Sequence, residues 1–358
     1  MKPLFTNINQ VCFIVRDVDA AVRMFADGLG IGPWLVVNFG VREGDAAYNA
    51  NAVPVKDTVL YGKYVGSYAL RIGICDMKGT QIELIQPLDD KSLFALYARE
   101  MGVGGQHICT NFTGSFEEIL DTMAAAGFPL SQLARIDNKE DCAFVDHMRL
   151  LGTHIELQRR PDDFTKPDIE PGLYPPDGVM KRAPVFDSIT QVGFAVRDAE
   201  EAVHLLCDRY GIGPWILADF GCSNGGKNAI TMEDVTIDGE PVGEVGLRIG
   251  VCSAMNVQLE MLQSVNGKDI VGRYLSARGP GIHHLCMTMT GSYEDTMRAL
   301  EEAGLTRGQH ARIDNKQEEC HFIDCMDTIG AYIEFQQRPA GYDHPAVTPR
   351  FYPEDAQL

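Results

Sequence analysis

Hydrophobic and polar positions alternate along the segment 104–112, and this alternation predicts a β-strand with two distinct faces. The pattern places on one face His107, Cys109 and Asn111, with Ile108 and Thr110 on the other. The segment 281–289 repeats the pattern, with His284 at the position of His107. Downstream of each copy, a further strand carries one glutamate among apolar residues, Glu156 in the first copy and Glu334 in the second. A histidine and a glutamate are therefore expected to point into one concavity, twice in the chain.

This repeat extends over nearly the whole chain of 358 residues. The matching segments are 10–17 and 191–198, 30–34 and 211–215, 70–73 and 247–250, 134–139 and 311–316, and 170–177 and 348–355. Self-similarity at one nearly constant offset indicates a tandem duplication. The predicted organisation is a first domain at 1–163, a Pro-rich linker at 164–186, a second domain at 187–340 and a Pro-rich tail at 341–358.

Each half divides again into two units with the same order of elements. Strands are predicted near 8–15, 34–39, 58–75, 79–86, 106–112, 142–148 and 153–158. Asp17 is a typical N-cap residue, and the segment Ser115–Glu118 has the pattern of a capping box. A helix is therefore predicted after each of them. The order of one strand, one helix and further strands predicts an α+β fold, in which four βαβββ modules form curved sheets around pockets.

In each half, four strand positions that should face inward carry polar or charged side chains. They are Gln10, Glu83, His107 and Glu156 in the first half and Gln191, Glu260, His284 and Glu334 in the second. An ionised carboxylate on a buried strand face costs several kcal/mol unless it is paired or binds a metal. Two carboxylates, one imidazole and one amide therefore predict a divalent metal site, and the set suits Zn, Mn, Co, Ni or Fe.

The chain resembles the vicinal oxygen chelate superfamily of glyoxalases, bleomycin-resistance proteins and extradiol dioxygenases, and most closely its methylmalonyl-CoA epimerase-like members. The stretches that carry the resemblance are Val11–Ala21, Ile82–Leu88, Ile155–Gln158 and Gly281–Cys286. The resemblance implies two tandem domains of this superfamily, each with paired βαβββ modules and one metal site. It also implies that the ligands lie on the first and last strands of the modules, at the four positions of each half given above.

The ligand set departs from the epimerase pattern. Epimerases of this family usually have histidine where this chain has Gln10 and Gln191, and often have glutamine where it has Glu83 and Glu260. The set in this chain resembles instead the ligands of eukaryotic-type glyoxalase I.

The chemistry that these relatives share implies a metal-dependent epimerase, racemase or isomerase. In them a metal ion polarises a substrate carbonyl while a carboxylate removes the proton from the adjacent carbon. Glu156 and Glu334 are our first choice for the proton-transfer groups, with Glu83 and Glu260 on the opposite side. An acyl-CoA, an aromatic ketone or a hydroxyketone would all suit this chemistry.

Residues predicted to contact the substrate are His154, Tyr332, Asn111, Arg71 and Arg248. His154 and Tyr332 could equally fill the mouth of the pocket. The two arginines could instead pair within the protein, with Asp146 and Asp324. His283 is predicted on the outer face of its strand, and solvated or loop positions are expected for His147, His310 and His321.

Composition narrows the class of protein. The formal net charge of −19 disfavours nucleic acid and anionic membranes as partners. No run approaches the ~20 apolar residues of a membrane-spanning helix. Most of the ten cysteines fall within apolar strand patterns, as expected for reduced thiols in a cytoplasmic protein.

Other functions stay open at this stage. Four modules in one chain also describe extradiol-type dioxygenases, and the ligand set also fits a glyoxalase-type lyase. A non-enzymatic protein that binds a small molecule in the same cavity is the third alternative. Whether the modules pair within or between the halves, and whether the chain forms a homodimer, is also open.

Overall fold

The computed structural model describes residues 2–165, 167, 169–342, 347 and 349–356. In the first half the strands are β1 (Phe5–Ile14), β2 (Trp34–Phe39), β3 (Ala52–Val53), β4 (Val55–Leu60), β5 (Lys63–Gly66), β6 (Leu70–Asp76), β7 (Gln81–Pro87), β8 (Gly104–Phe112), β9 (Leu130–Ile136), β10 (Glu140–Asp146), β11 (His154–Arg159) and β12 (Gly172–Tyr174). The helices of this half are α1 (Val18–Arg23), which continues as a π-helical turn at Met24–Gly28, α2 (Ala46–Ala50), α3 (Leu93–Glu100) and α4 (Phe116–Ala125).

The second half repeats this order. Its strands are β13 (Phe186–Ala195), β14 (Trp215–Gly221), β15 (Met232–Ile237), β16 (Glu240–Pro241), β17 (Gly246–Cys252), β18 (Gln258–Ser264), β19 (Gly281–Met289), β20 (Thr306–Ile313), β21 (Glu318–Asp324), β22 (Tyr332–Gln337) and β23 (Arg350–Tyr352). Its helices are α5 (Ala199–Tyr210), α6 (Ile270–Arg278) and α7 (Tyr293–Glu302), with a 3₁₀ turn at Ser223–Gly226. Among the described residues, no helix has the length and apolar character needed to cross a membrane.

Each half forms one curved mixed sheet. The first sheet has the strand order β12-β2-β6-β7-β1-β8-β11-β10-β9-β4-β5, and β3 pairs with β2. The second has the order β16-β15-β20-β21-β22-β19-β13-β18-β17-β14-β23. Two βαβββ modules meet where β1 pairs antiparallel with β8, and again where β13 pairs with β19. The modules therefore pair within each half, and the predicted α+β fold with two tandem domains is confirmed.

The two halves contact each other through equivalent surfaces. The amide of Leu4 donates to the carbonyl of Tyr210 at 2.8 Å, and the amide of Val185 donates to that of Leu29 at 2.8 Å. Leu4 corresponds to Val185 and Leu29 to Tyr210 in the repeat. Each half thus gives the other the same contact that it receives, as in the isologous interface of a twofold dimer. The largest cluster of buried apolar residues runs through both halves.

Two equivalent glycines allow this close approach. Gly152 and Gly330 both adopt φ of 64°, a left-handed conformation that glycine accepts without strain. A Cβ atom on Gly152 would lie 1.8 Å from the carbonyl oxygen of Pro280, and one on Gly330 would lie 2.3 Å from that of Val103. Larger residues would therefore separate the halves.

The Pro-rich segments extend the sheets. β12 lies in the predicted linker and pairs with the edge strand β2, and β23 lies in the predicted tail and pairs with β14. The hydroxyl of Tyr174 donates to Asp27 at 2.5 Å, and the hydroxyl of Tyr352 donates to Asp208 at 2.8 Å. The tail positions 343–346, 348 and 357–358 lie outside the described residues.

Several element predictions were wrong in detail. The strand predicted near 58–75 is three strands, because Tyr61 and Gly62 form a turn with φ of 46° and 76°. The strand β9 and the helices α3 and α6 were not predicted. In the repeated segment 134–139 the first three residues belong to β9, and Asp137 and Asn138 form a turn with positive φ.

Candidate active site

Strand register brings the predicted ligands of the second half into two adjacent rows. Across β18, β13, β19 and β22, the first row consists of Glu260, Gly193, His284 and Tyr332. The second row consists of Gln258, Gln191, Cys286 and Glu334. Residues opposite each other on neighbouring strands point to the same face of a sheet. The predicted set Gln191, Glu260, His284 and Glu334 therefore converges from four neighbouring strands.

The imidazole of His284 lies at the centre of this set. Its Nε2 atom is 3.3 Å from Glu260 Oε2, 3.1 Å from Glu334 Oε2 and 3.3 Å from Gln191 Oε1. Atoms that bind one ion at about 2.1 Å, at angles of about 90–110°, lie about 3.0–3.5 Å apart. The spacing and the chemistry of these donors therefore fit a divalent metal ion.

The first half shows the same arrangement with one difference. His107 Nε2 is 3.2 Å from Glu83 Oε2 and 3.3 Å from Glu156 Oε2. This buried nitrogen makes no hydrogen bond of acceptable geometry, as expected for a ligand atom that points between the carboxylates. The amides of Gln10 and Gln191 make equivalent hydrogen bonds, to Gln81 Oε1 at 3.0 Å and to Gln258 Oε1 at 2.5 Å. The difference is that His107 Nε2 has no hydrogen bond to the glutamine, and the ligand atoms of Cys12, Glu83 and His107 lie within 4.8 Å of one another.

A β-bulge orients the histidine of each site. The register between β1 and β8 shifts at Gln106, and the shift between β13 and β19 falls at His283. Gln106 Oε1 accepts a hydrogen bond from His107 Nδ1 at 2.6 Å, while Gln106 Nε2 donates to His154 Nδ1 at 3.2 Å. His107 therefore presents its Nε2 lone pair to the carboxylates, and His154 keeps its proton on Nε2.

The prediction that His283 lies on the outer face was wrong. Because the bulge inserts an extra residue, strict alternation fails there, and His283 Nδ1 contacts His284 Nδ1 at 3.1 Å. Neither orienting residue, Gln106 or His283, was predicted as part of the site. Their only signal was a position beside a candidate ligand.

The electrostatics of the second site favour a bound cation. Burial acts to lower the pKa of His284, but the carboxylates of Glu334 and Glu260 outweigh it and raise the pKa to about 9. Burial raises the pKa of Glu260. It acts in the same direction on Glu334, but His284 and a hydrogen bond from Gln336 hold the pKa of Glu334 below its usual range. The two buried carboxylates thus stabilise a positive charge between them, which the protonated imidazole of His284 carries here.

A cavity of about 350 Å³ opens above the second site. Gln191, Glu260 and Glu334 form part of its lining. Its apolar walls include Ile216, Phe220, Ile249, Leu262, Val271 and Phe322. Exposed Arg338 also lines it and pairs with Glu318 at 2.8 Å. The cavity is thus apolar around a polar, charged group of side chains.

Aromatic rings occupy the corresponding space in the first half. Phe94 takes the position of Val271, and its ring centre lies 6.0 Å from that of His107. It packs against Phe144 at 5.3 Å and against Tyr68 at 5.9 Å. The two halves therefore share a ligand arrangement but differ in the space above it.

The predicted substrate-contact residues lie in different surroundings from one another. His154 and Tyr332 lie in the histidine rows of their concavities, opposite His107 and His284. Asn111 lies at the exposed end of β8, where it accepts a hydrogen bond from Asn9 at 2.6 Å.

The two strand arginines have internal partners other than those predicted. Arg71 pairs with Asp19 at 2.8 Å and Arg248 with Asp219 at 3.0 Å. Asp146 and Asp324, the predicted partners, instead accept hydrogen bonds from backbone amides two residues further on. These carboxylates therefore cap the turns that follow their own strands.

Of the three histidines predicted at solvated or loop positions, His147 lies in the loop after β10 but is buried, and His310 and His321 lie on strands. His147 is fully buried, stacks on Phe128 at 4.2 Å and contacts the hydroxyl of Tyr210 at 2.7 Å. His310 and fully buried His321 face each other across β20 and β21, with ring centres 4.9 Å apart. Single histidines carry no periodic signal, so their burial could not be inferred from the sequence.

The Glyoxalase/Bleomycin resistance protein/Dioxygenase superfamily model matches residues 9–144 and 190–322. The chain belongs to this superfamily. The two matched regions correspond to the two sheets and include six of the eight predicted ligands; Glu156 and Glu334 lie beyond the ends of their regions.

Similar solved structures extend this comparison. A triple mutant of 4-hydroxymandelate synthase from Streptomyces coelicolor matches with a TM-score of 0.58 and 13% identity, over 96% of this chain and 95% of that one. Methylmalonyl-CoA epimerase from Mycobacterium tuberculosis matches 45% of this chain over 92% of its own, with 20% identity and a TM-score of 0.32. No curated protein matches by sequence. At these identities the first likeness shows the fold alone.

Proposed function

We propose that the chain is a metal-dependent epimerase, racemase or isomerase that acts on the carbon beside a carbonyl group, and that it reacts in the second half. The observation that carries this proposal is the position of Glu260 and Glu334. Both carboxylates contact the same nitrogen of His284, and both line the 350 Å³ cavity. Gln191, Glu260, His284 and Glu334 would hold the ion.

For the reaction to proceed, the substrate C–H bond must become more acidic than an ordinary C–H bond. A divalent ion at this site would polarise the substrate carbonyl and stabilise the charge that develops on its oxygen. Glu334, on β22, would take the proton from one side of the substrate carbon. Glu260 lies on β18, with two strands between it and β22, and would return a proton from the other side. Transfer between opposite sides inverts the carbon, and transfer to a different atom isomerises the substrate.

The walls of the cavity define the class of substrate. Aliphatic and aromatic side chains line it, so the substrate body is expected to be apolar and its carbonyl to point towards Gln191 and the glutamates. An aromatic ketone or hydroxyketone could fit within this volume. An acyl-CoA could place only its acyl end there, with the nucleotide outside.

Metal content and hydrogen exchange test the proposal together. The native chain, Glu334→Ala and Glu156→Ala are purified gently, their metal is counted, and carbonyl compounds are assayed for exchange of the α-hydrogen in deuterated water. We expect exchange in the native chain and in Glu156→Ala, and loss of both exchange and second-site metal in Glu334→Ala. Oxygen uptake with iron would point to a dioxygenase instead, and a bound compound recovered unaltered would point to a binding protein.

A further inference from the structure

The two sites differ at one position of the histidine row. Cys12 lies opposite both Glu83 and His107 in the first half, and Gly193 lies opposite Glu260 and His284 in the second. A Cβ atom on Gly193 would lie 2.1 Å from Cε1 of His284. The second half therefore has no room for a side chain here, whereas the first half is built around one.

Cys12 is fully buried beside two candidate ligands, Glu83 and His107. Ligand atoms of Cys12, Glu83 and His107 all lie within 4.8 Å of one another. The Nε2 atom of His107 has no hydrogen-bond partner and belongs to a side chain that is 1% exposed. This orphaned nitrogen, held in place through Gln106, faces the space that the thiol borders.

The glutamine oxygen that contacts the histidine in the second site makes no hydrogen bond to it in the first. Gln191 Oε1 is 3.3 Å from His284 Nε2, whereas His107 Nε2 has no hydrogen-bond partner among the described residues. Both glutamines keep the same amide hydrogen bond to the neighbouring strand, to Gln81 and to Gln258. The sulfur of Cys12 is therefore a possible fourth donor in the first site.

We propose that the first half holds a divalent ion through Cys12, Glu83, His107 and Glu156, as a closed structural site. Four protein ligands that include a thiolate are typical of structural zinc, whereas catalytic sites keep a position open for substrate. Phe94, at the position of Val271 in the second half, packs near the ring of His107, which fits a site that no substrate enters. On binding, the thiol loses its proton to solvent and sulfur bonds to the ion.

This inference depends neither on the reaction proposed for the second half nor on metal binding there. Sulfur favours thiophilic ions, so the first half should prefer zinc or cobalt over magnesium or manganese. The oxygen-rich set of the second half should discriminate less between these ions.

Cobalt substitution reports the sulfur directly. The His284→Ala chain, in which the second site is disabled, is loaded with Co²⁺ and its absorption spectrum recorded. We expect one cobalt per chain and a thiolate-to-cobalt charge-transfer band in the near ultraviolet. Adding Cys12→Ser, which keeps the size of the side chain, should remove the band and weaken cobalt binding at least tenfold.

Cys75→Ala serves as the matched control. Cys75 is also a buried thiol of the same sheet, but it packs in the apolar core, so its loss should leave the band unchanged. A cobalt-loaded His284→Ala chain without the band, or a band that survives Cys12→Ser, would overturn the inference, as would failure of this chain to bind cobalt. Hydrogen exchange in the chain with an intact second site reports separately on the proposed function.

Discussion

Phe94 and Val271 occupy equivalent positions in α3 and α6, but they leave different amounts of space beside the two candidate ligand sets. The ring of Phe94 packs near His107, whereas the smaller Val271 lines the cavity of the second half. This difference of a few carbon atoms is our main structural reason for placing the reaction in the second half.

Exchanging these two residues should affect the halves differently. Val271→Phe should fill the cavity and reduce α-hydrogen exchange by at least a hundredfold while the second-site metal stays bound. Phe94→Val should leave exchange unchanged and lower the free energy of unfolding by about 2–4 kcal/mol, because it leaves a cavity in a packed core. Exchange assays, metal analysis and denaturant titration measure these effects. Full activity in Val271→Phe would contradict our assignment of the substrate cavity.

Neutral replacements should separate the roles of the carboxylates. Glu334→Gln and Glu260→Gln keep the shape of each side chain but remove its basicity, so each should slow the reaction by about 10²–10⁴-fold. Glu156→Gln is the matched control, because Glu156 holds the equivalent position beside the filled space of the first half, and we expect it to retain the native rate. Rates are compared at saturating metal, so that weaker ion binding does not mimic the loss of a base.

Gln106 should act on the first site through His107. Gln106→Leu removes the acceptor for His107 Nδ1, frees the ring to change tautomer and should weaken metal binding in the first half by about 10–100-fold. Titration with cobalt in the His284→Ala background measures this affinity. Gln106→Glu restores an acceptor and should recover binding; no difference between the two variants would show that the residue only fills space.

His147 should make the protein less stable in acid. Burial lowers its pKa from 6.5 to about 3, so below pH 6.5 the unfolded chain binds a proton that the folded chain does not. The associated stability is fully present above pH 6.5 and is lost progressively towards pH 3, on the order of 2–3 kcal/mol between pH 6.5 and 4.5. Denaturant titrations at several pH values should show a flatter profile for His147→Gln. His204→Gln, on the exposed face of α5, should keep the native profile.

Features that follow a repeated pattern could be predicted from the sequence, whereas features that interrupt a periodic pattern could not. Strand alternation and the internal duplication predicted the two-domain fold and the residues that converge around His107 and His284. The same alternation placed His283 on the wrong face, because a bulge of one residue is invisible to a period of two. The helix α3 is only eight residues long, and its apolar positions gave no distinct signal.

Other features of the site depended on distant residues. Whether an apolar residue such as Phe94 fills a concavity or only borders it depends on Tyr68 and Phe144, which come together through the sheet order. The direction of the Gln10 amide likewise depends on Gln81, which lies 71 residues further along the chain. Neither relationship can be inferred from a single sequence.

The exchange of equivalent contacts between the halves has a consequence for how the sites could diverge. In a dimer of identical subunits, any substitution that closed one cavity would close both and abolish the reaction. Here the twofold partner is part of the same polypeptide, so Cys12 and Gly193, or His154 and Tyr332, can differ while the interface stays intact. Under the proposed function, covalent fusion would let one copy lose the reaction while the other keeps it.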